Sequence, residues 1–231
     1  MCEFQYQKIE TDGDISKLVI FLHGYTSNAE DVLPYAKILA EHVKNTLIVI
    51  PEADMVSERH ADKKQWYGLV DIDPERKRRN PATPTYEIID IYNQTGKRIS
   101  AVAKRMNRFI SSLQKEYKIS NKNTYIMGFS QGAMLAIYTG LTRRYELGGI
   151  LPFAGIVCGK DLLEREQLSH PEVYLFHGTD DLSVQYKTLE FTKDWLEQHD
   201  IAWEAIEYDG VPHKLTEDEM LDAAEIINRC A

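Results

Sequence analysis

The 231-residue chain carries 27 Lys and Arg against 36 Asp and Glu, a formal net charge of −9, which excludes a general nucleic-acid binder because such proteins need a basic footprint to release counterions from phosphates. With 43% hydrophobic and 27% charged residues, the composition fits a single α/β domain over 1–231 with a sizeable core, and no second domain is needed. The first ten residues lack a signal-peptide apolar core, no apolar run nears the roughly 18 residues of a membrane span, and Cys2, Cys158 and Cys230 show neither disulfide-framework nor zinc spacing. The expectation is a cytoplasmic protein in a reducing compartment, without stable membrane insertion.

Phe4 to Glu10 alternates apolar and polar residues and predicts an edge strand. Leu18 to Leu22 and Thr46 to Ile50 are short β-branched runs that predict buried strands. Between them, Ser27-x-x-Glu30 reads as a capping box opening a helix through about Val43. Periodicity is then lost from Glu52 to about Pro84, too long for a plain connector, so a lid or binding loop is expected at about 52–85. Within it Glu75 to Pro81 reads as an exposed tip. Ile99, Val102, Ala103, Met106, Phe109, Ile110 and Leu113 keep helical spacing, while Lys97, Arg98, Lys104, Arg105 and Arg108 give that helix a basic, solvated outer face.

Further strands are predicted at Thr124 to Met127, Gly149 to Phe153, Val173 to Phe176 and Trp203 to Tyr208. Thr216-x-x-Glu219 opens a last helix, with Leu215 and Met220 as its hydrophobic staple. Apolar strands alternating with helix-length segments predict a mostly parallel sheet covered by helices on both faces.

Gly128-Phe129-Ser130-Gln131-Gly132 stands between a strand and a helix-like run, Ala133 to Leu141. A serine on such a turn projects its hydroxyl above the sheet at a helix N-terminus, where backbone N–H groups favour an oxyanion. Serine becomes a nucleophile only when an imidazole takes its proton and an acid holds that imidazole in the right tautomer. Those groups should lie beyond strand carboxyl ends and follow in the order Ser, acid, His. Of the histidines after Ser130, His170 and His199 precede strands and His177 closes one, leaving His213 on the loop after Asp209-Gly210-Val211-Pro212. For the acid, Asp180 and Asp181 compete in His177-Gly178-Thr179-Asp180-Asp181, with Asp161 and Asp209 as weaker alternatives. His23-Gly24-Tyr25, after the strand at Leu18 to Leu22, is the place for a second oxyanion donor beside the Gln131 N–H, His23 itself reading as structural. Trp66 to Val70 is apolar enough to cover an acyl pocket, which makes Trp66, Tyr67 and Leu69 candidate substrate contacts. Packing of the loop onto the sheet is their equal alternative.

Taken together, His23-Gly24-Tyr25-Thr26-Ser27-Asn28-Ala29-Glu30-Asp31, Gly128-Phe129-Ser130-Gln131-Gly132, His177-Gly178-x-x-Asp181-x-x-Val184 and Gly210-x-x-His213 resemble the phospholipase/carboxylesterase family of α/β-hydrolases, which includes the acyl-protein thioesterases. The resemblance runs over nearly the whole chain. It implies an α/β-hydrolase fold with Ser130 as nucleophile, Asp181 rather than Asp180 as the acid, His213 as base, and the Tyr25 and Gln131 N–H groups as oxyanion hole. It further implies a small acyl ester or thioester substrate, a carboxylesterase activity first and a lysophospholipase or acyl-protein thioesterase activity second, with no metal or organic cofactor. A ligand-binding module that has lost catalysis is the rival from another class, and monomer or homodimer stays open. Thr26 and Ala29 stand where relatives commonly carry glycine, and Leu182 stands where proline usually follows the acid.

Overall fold

The computed structural model describes residues 4–229; Cys2 and Cys230 lie outside the described residues. In chain order the elements are β1 (Tyr6–Glu10), β2 (Lys17–Leu22), α1 (Ala29–His42), β3 (Thr46–Pro51), β4 (Met55–Val56), β5 (Lys64–Gln65), α2 (Thr85–Asn93), α3 (Gly96–Tyr117), β6 (Thr124–Phe129), α4 (Gln131–Leu141), β7 (Gly149–Phe153), α5 (Lys160–Glu166), β8 (Val173–Gly178), α6 (Leu189–Gln198), β9 (Trp203–Tyr208) and α7 (Glu217–Arg229). Seven strands form one sheet in the order β1-β3-β2-β6-β7-β8-β9. Every neighbouring pair is parallel except the edge strand β1, which runs antiparallel to β3.

Continuous apolar runs make the central strands because both faces of the sheet are covered. Leu18, Ile20 and Leu22 of β2 face a core shared with α3 and α4, while Val19 and Phe21 face α1 and α7. All five are fully buried, and each stabilises the fold by roughly 1.5–3 kcal/mol through burial alone. Helix α4 is buried along its whole length, as expected of a helix apolar on every side. Helix α3 buries the predicted stripe, with Val102 partly covered. Three of its outer basic residues are held in ion pairs, Arg98 with Asp71, Lys104 with Glu166 and Arg105 with Asp54.

Two local expectations need correction. The cap of α1 is Asn28, not Ser27. The Asn28 side chain accepts from the Asp31 N–H at 3.1 Å and the Asp31 carboxylate accepts from the Asn28 N–H at 3.2 Å, while the Ser27 hydroxyl donates to the same carboxylate. Glu30, the partner expected from the sequence, is exposed. At the other end of the chain the Thr216 and Glu219 box forms as read, the Thr216 N–H donating to the Glu219 carboxylate at 2.7 Å and the Glu219 N–H to the Thr216 hydroxyl at 3.3 Å.

The second correction concerns Glu75 to Pro81, which is folded down rather than exposed at its centre. Arg78 is buried and ion-paired with buried Asp73 at 2.5 Å. Gln185, on the loop after β8, donates to the carbonyls of Arg78 and Asn80 at 2.8 and 2.9 Å. The short hairpin β4–β5 lies ahead of this turn and is tied to the α1 approach by reciprocal bonds between Ser27 and Lys64.

Candidate active site

Ser130 sits between the last residue of β6 and the first of α4, with φ 55° and ψ −114°. A non-glycine residue there carries backbone strain of order 1–3 kcal/mol, held in place by the packing of strand and helix around it. The Ser130 N–H donates to the Phe153 carbonyl at 2.9 Å. Close approach of α4 to β2 depends on Gly132, where a Cβ would stand 2.4 Å from the Leu22 carbonyl oxygen; any side chain would push the serine turn off the sheet end.

The His213 Nε2 lies 3.1 Å from the Ser130 Oγ, and its Nδ1 lies 2.7 Å from the Asp181 Oδ2. A carboxylate only accepts, so Nδ1–H donates to Asp181, leaving Nε2 as the acceptor for the serine hydroxyl. The other Asp181 oxygen accepts from the Ser183 and Val184 N–H groups at 2.7 and 3.0 Å. Burial pushes the Asp181 carboxyl up, but hydrogen bonding and charge from the His177 and His213 imidazoles outweigh it and hold its pKa at about 2. The carboxylate stays charged at neutral pH. His177 donates from Nε2 to the Val184 carbonyl at 2.9 Å and stands 3.6 Å from Asp181, bracing the acid from behind. Asp180 is exposed, and its N–H donates to the Val211 carbonyl at 3.1 Å.

The loop after β2 closes over the serine from the other side. A Cβ on Gly24 would come within 3.6 Å of the Ser130 Cβ, which brings the Tyr25 backbone to the same sheet end as the first turn of α4. Helical N–H groups of a first turn, such as that of Gln131, have no intrahelical acceptor. Thr26 adopts φ 55°, the left-handed conformation glycine takes freely, and its hydroxyl donates to the Tyr25 carbonyl at 2.6 Å. The turn expected of glycine is therefore made by threonine at some conformational cost. Leu182 is solvent-exposed, and Asp181 is held by the backbone N–H groups of Ser183 and Val184.

His23 is fully buried and structural: its Nδ1 bonds the Gly24 carbonyl at 2.9 Å, its Nε2 accepts from the Ala53 N–H at 3.2 Å, and burial pulls its pKa down to about 4.

The segment 52–85 is fastened to this site by contacts that leave no periodic trace. The Gln131 side chain accepts from the Trp66 N–H and donates to the Tyr67 carbonyl, both at 2.8 Å. Glu58 accepts from the Leu69 N–H at 2.9 Å and from the Tyr25 hydroxyl at 3.3 Å. The Trp66 indole donates to the His23 carbonyl at 2.8 Å and stacks on the His23 ring. Of the three residues expected to meet substrate, Leu69 lines the small cavity of ≈ 10 Å³ beside Ser130. Trp66 and Tyr67 are buried and face a separate groove with Arg98 and Val102. Trp66 thus holds the β2 loop, and the Tyr67 hydroxyl meets the Met134 sulfur at 3.5 Å behind the cavity wall. Sequence reasoning missed Glu58, Gln185 and the side chain of Gln131. Only Gln131 had a signal, its place next to the serine.

Among the described residues, no group of three or more His, Cys, Asp or Glu could hold a metal ion, and no helix is long and apolar enough to cross a membrane.

A mostly parallel sheet with a strained serine at a strand-to-helix turn, and with an acid and a histidine on the loops after β8 and β9, is the α/β-hydrolase fold. Solved structures share it: esterase PE8 aligns over 99% of both chains with a TM-score of 0.82 at 23% identity. SOBER1 of Arabidopsis thaliana aligns over 94% of this chain and 99% of its own with a TM-score of 0.77 at 19% identity. The model of the phospholipase/carboxylesterase family matches residues 6–231, and the chain belongs to that family. It is 27% identical to acyl-protein thioesterase 1 of Saccharomyces cerevisiae over 133 residues, 52% of this chain and 58% of the yeast protein. The chain spans about half the length of the curated relatives it matches.

Proposed function

We propose that this protein is a serine hydrolase that cleaves carboxylic esters or thioesters through a covalent acyl-enzyme. The observation that carries the reading is the unbroken relay from buried Asp181 through His213 to the strained Ser130, at 2.7 and 3.1 Å. His213 Nε2 takes the Ser130 proton as Oγ attacks the carbonyl carbon. The Tyr25 and Gln131 N–H groups receive the oxyanion that forms. The imidazolium, stabilised by Asp181, then passes its proton to the departing alcohol or thiol. Water attacks the acyl-serine by the same route and restores the hydroxyl. No step calls on a metal or organic cofactor.

The cavity beside Ser130 has a volume of only ≈ 10 Å³, about one water and far below the roughly 300–1,000 Å³ that accommodates a drug-sized ligand. This favours a carboxylesterase of short acyl groups over hydrolysis of long-chain lipids or lipidated proteins, although relatives are named acyl-protein thioesterases. The cysteine usage of the sequence supports a cytoplasmic setting. The test is turnover of p-nitrophenyl acetate, butyrate and octanoate. Ser130→Ala and His213→Ala should each lower kcat by about 10⁴- to 10⁶-fold, and acetate or butyrate should be preferred to octanoate. Full activity in Ser130→Ala would overturn the reading.

A further inference from the structure

The relay leaves unused a strong charge in the wall of its own cavity. Arg79 lines that cavity together with Ser130, Gln131 and Ser183. Its guanidinium is half-buried, and its Nε is a fully buried donor with no hydrogen bond. Among the described residues no carboxylate pairs with it, in contrast to Arg78, whose guanidinium is neutralised by Asp73 at 2.5 Å. Burial, with the charges of Arg78 and Arg76 close behind, pulls its pKa below the ordinary arginine value. Burying a cation without a counter-charge is costly. The cost is removed when an anion enters, and the planar fork of arginine suits a carboxylate through two parallel bonds.

The group is also held in place. The turn Lys77–Arg79 is fixed from one side by Asp73, which accepts from the Lys77 N–H at 2.7 Å, and from the other by Gln185, which donates to the carbonyls of Arg78 and Asn80. Gln185 follows Asp181 by four residues, so the loop that carries the acid of the relay also anchors the turn that carries Arg79. In a chain of net charge −9 the overall field does not draw anions in; an anionic substrate has to be retained by a local cation.

Resting on Ser130 as nucleophile, we propose that Arg79 is a specificity-determining residue that receives a carboxylate of the substrate, and that the preferred substrates are anionic esters such as half-esters of short dicarboxylic acids. The rest of the cavity wall is formed by Leu69, Met134, Val184, Tyr25 and Tyr92, a mostly apolar lining that suits a short carbon chain better than a polar one.

Two substrate pairs locate the charge. Monoethyl glutarate against its neutral isostere ethyl 4-carbamoylbutanoate puts it on the acyl half; O-butyrylglycolate against O-butyrylglycolamide puts it on the leaving half. In one pair the wild-type kcat/KM should favour the anion by 10-fold or more, and Arg79→Gln should reduce that ratio by about 100-fold, equivalent to about 2.7 kcal/mol. Arg79→Lys, which keeps the charge without the fork, should recover part of the ratio. Calorimetric titration with glutarate gives a readout independent of turnover: wild type and Ser130→Ala should bind it alike and Arg79→Gln at least 10-fold more weakly. Glutarate binding through Arg79 in a protein that hydrolyses no ester would uphold the anion site and sink the esterase reading. Ester hydrolysis with no anion preference in either pair, or with a ratio that Arg79→Gln leaves unaltered, would overturn the role of Arg79 while leaving the serine mechanism standing.

Discussion

Asparagine at position 181 would separate the two jobs of the carboxylate. One oxygen accepts the Ser183 and Val184 N–H groups, and an amide oxygen can take over both bonds. The amide nitrogen is then left facing His213 Nδ1, 2.7 Å from where the second oxygen stood. Because that nitrogen donates, Nδ1 must become the acceptor and the ring proton moves to Nε2, which turns toward Ser130 as a donor and no longer as a base. Wrong-tautomer losses of this kind reach about 10⁴ in kcat, or about 5 kcal/mol of transition-state stabilisation. Stability changes as well. Asp181 titrates at about 2 in the folded chain against an ordinary 3.8, so its contribution, on the order of 2 kcal/mol, is present above pH 4 and is lost as pH falls from about 4 to 2. Asp181→Asn should therefore lower kcat for p-nitrophenyl butyrate by about 10⁴ at pH 7.5, measured on the folded fraction, and should flatten the acid limb of the stability curve below pH 4. Asp180 is exposed, and Asp180→Asn should change stability by no more than about 0.5 kcal/mol and turnover little. A kcat within 10-fold of wild type in Asp181→Asn, or equal losses in both variants, would refute the reasoning.

Trp66→Ala removes a buried indole that bonds the His23 carbonyl and stacks on its ring. It should cost about 3–5 kcal/mol in denaturant unfolding and lower activity evenly across acyl lengths; a loss confined to longer acyl chains at unchanged stability would instead place Trp66 in the pocket. Burial raises the Glu219 carboxyl to about 7 against the pull of the Thr216 N–H and hydroxyl. The folded chain thus binds that proton more tightly than the unfolded one, and stability falls by up to about 3 kcal/mol as pH rises from about 4.5 through 7. Glu219→Gln, whose amide oxygen can still accept from Thr216, should be more stable than wild type at pH 8 and show little gain at pH 5 in urea titrations. An equal difference at both pH values would contradict this.

Strand positions were legible because burial on both faces writes itself into sequence as uninterrupted apolar runs. Gly149 to Phe153 coincides with β7, and Thr124 to Met127 falls two residues short of β6 because Gly128 and Phe129 belong to the motif that ends it; Trp203 to Tyr208 coincides with β9, an edge strand whose apolar residues alternate with Glu204 and Glu207 and are only partly buried. Ser130, His213 and the Asp180–Asp181 pair, which topology put at one end of the sheet, do come together there through Asp181, and only family resemblance or geometry separates Asp180 from Asp181. The α1 cap was misplaced by one residue because Ser27 and Asn28 are both good capping residues, and only the Asp31 contact decides between them. Segment 52–85 was legible as an insertion but not as a structure. Part of its order comes from single side chains, Gln131, Glu58 and Gln185, bonding to backbone groups 65, 11 and 107 residues away. Such bonds have no period, and for the same reason the burial of Arg78 and the exposure of Arg79 to the cavity could not be read from a run of charged residues.

The most direct test of the account is the site of covalent capture by a fluorophosphonate, which reacts with a serine only when a neighbouring base activates it. Peptide mass spectrometry of the labelled protein should find one adduct, on Ser130, absent from Ser130→Ala and strongly reduced in His213→Ala. Labelling at another residue, or none under conditions where the protein is folded, would contradict it.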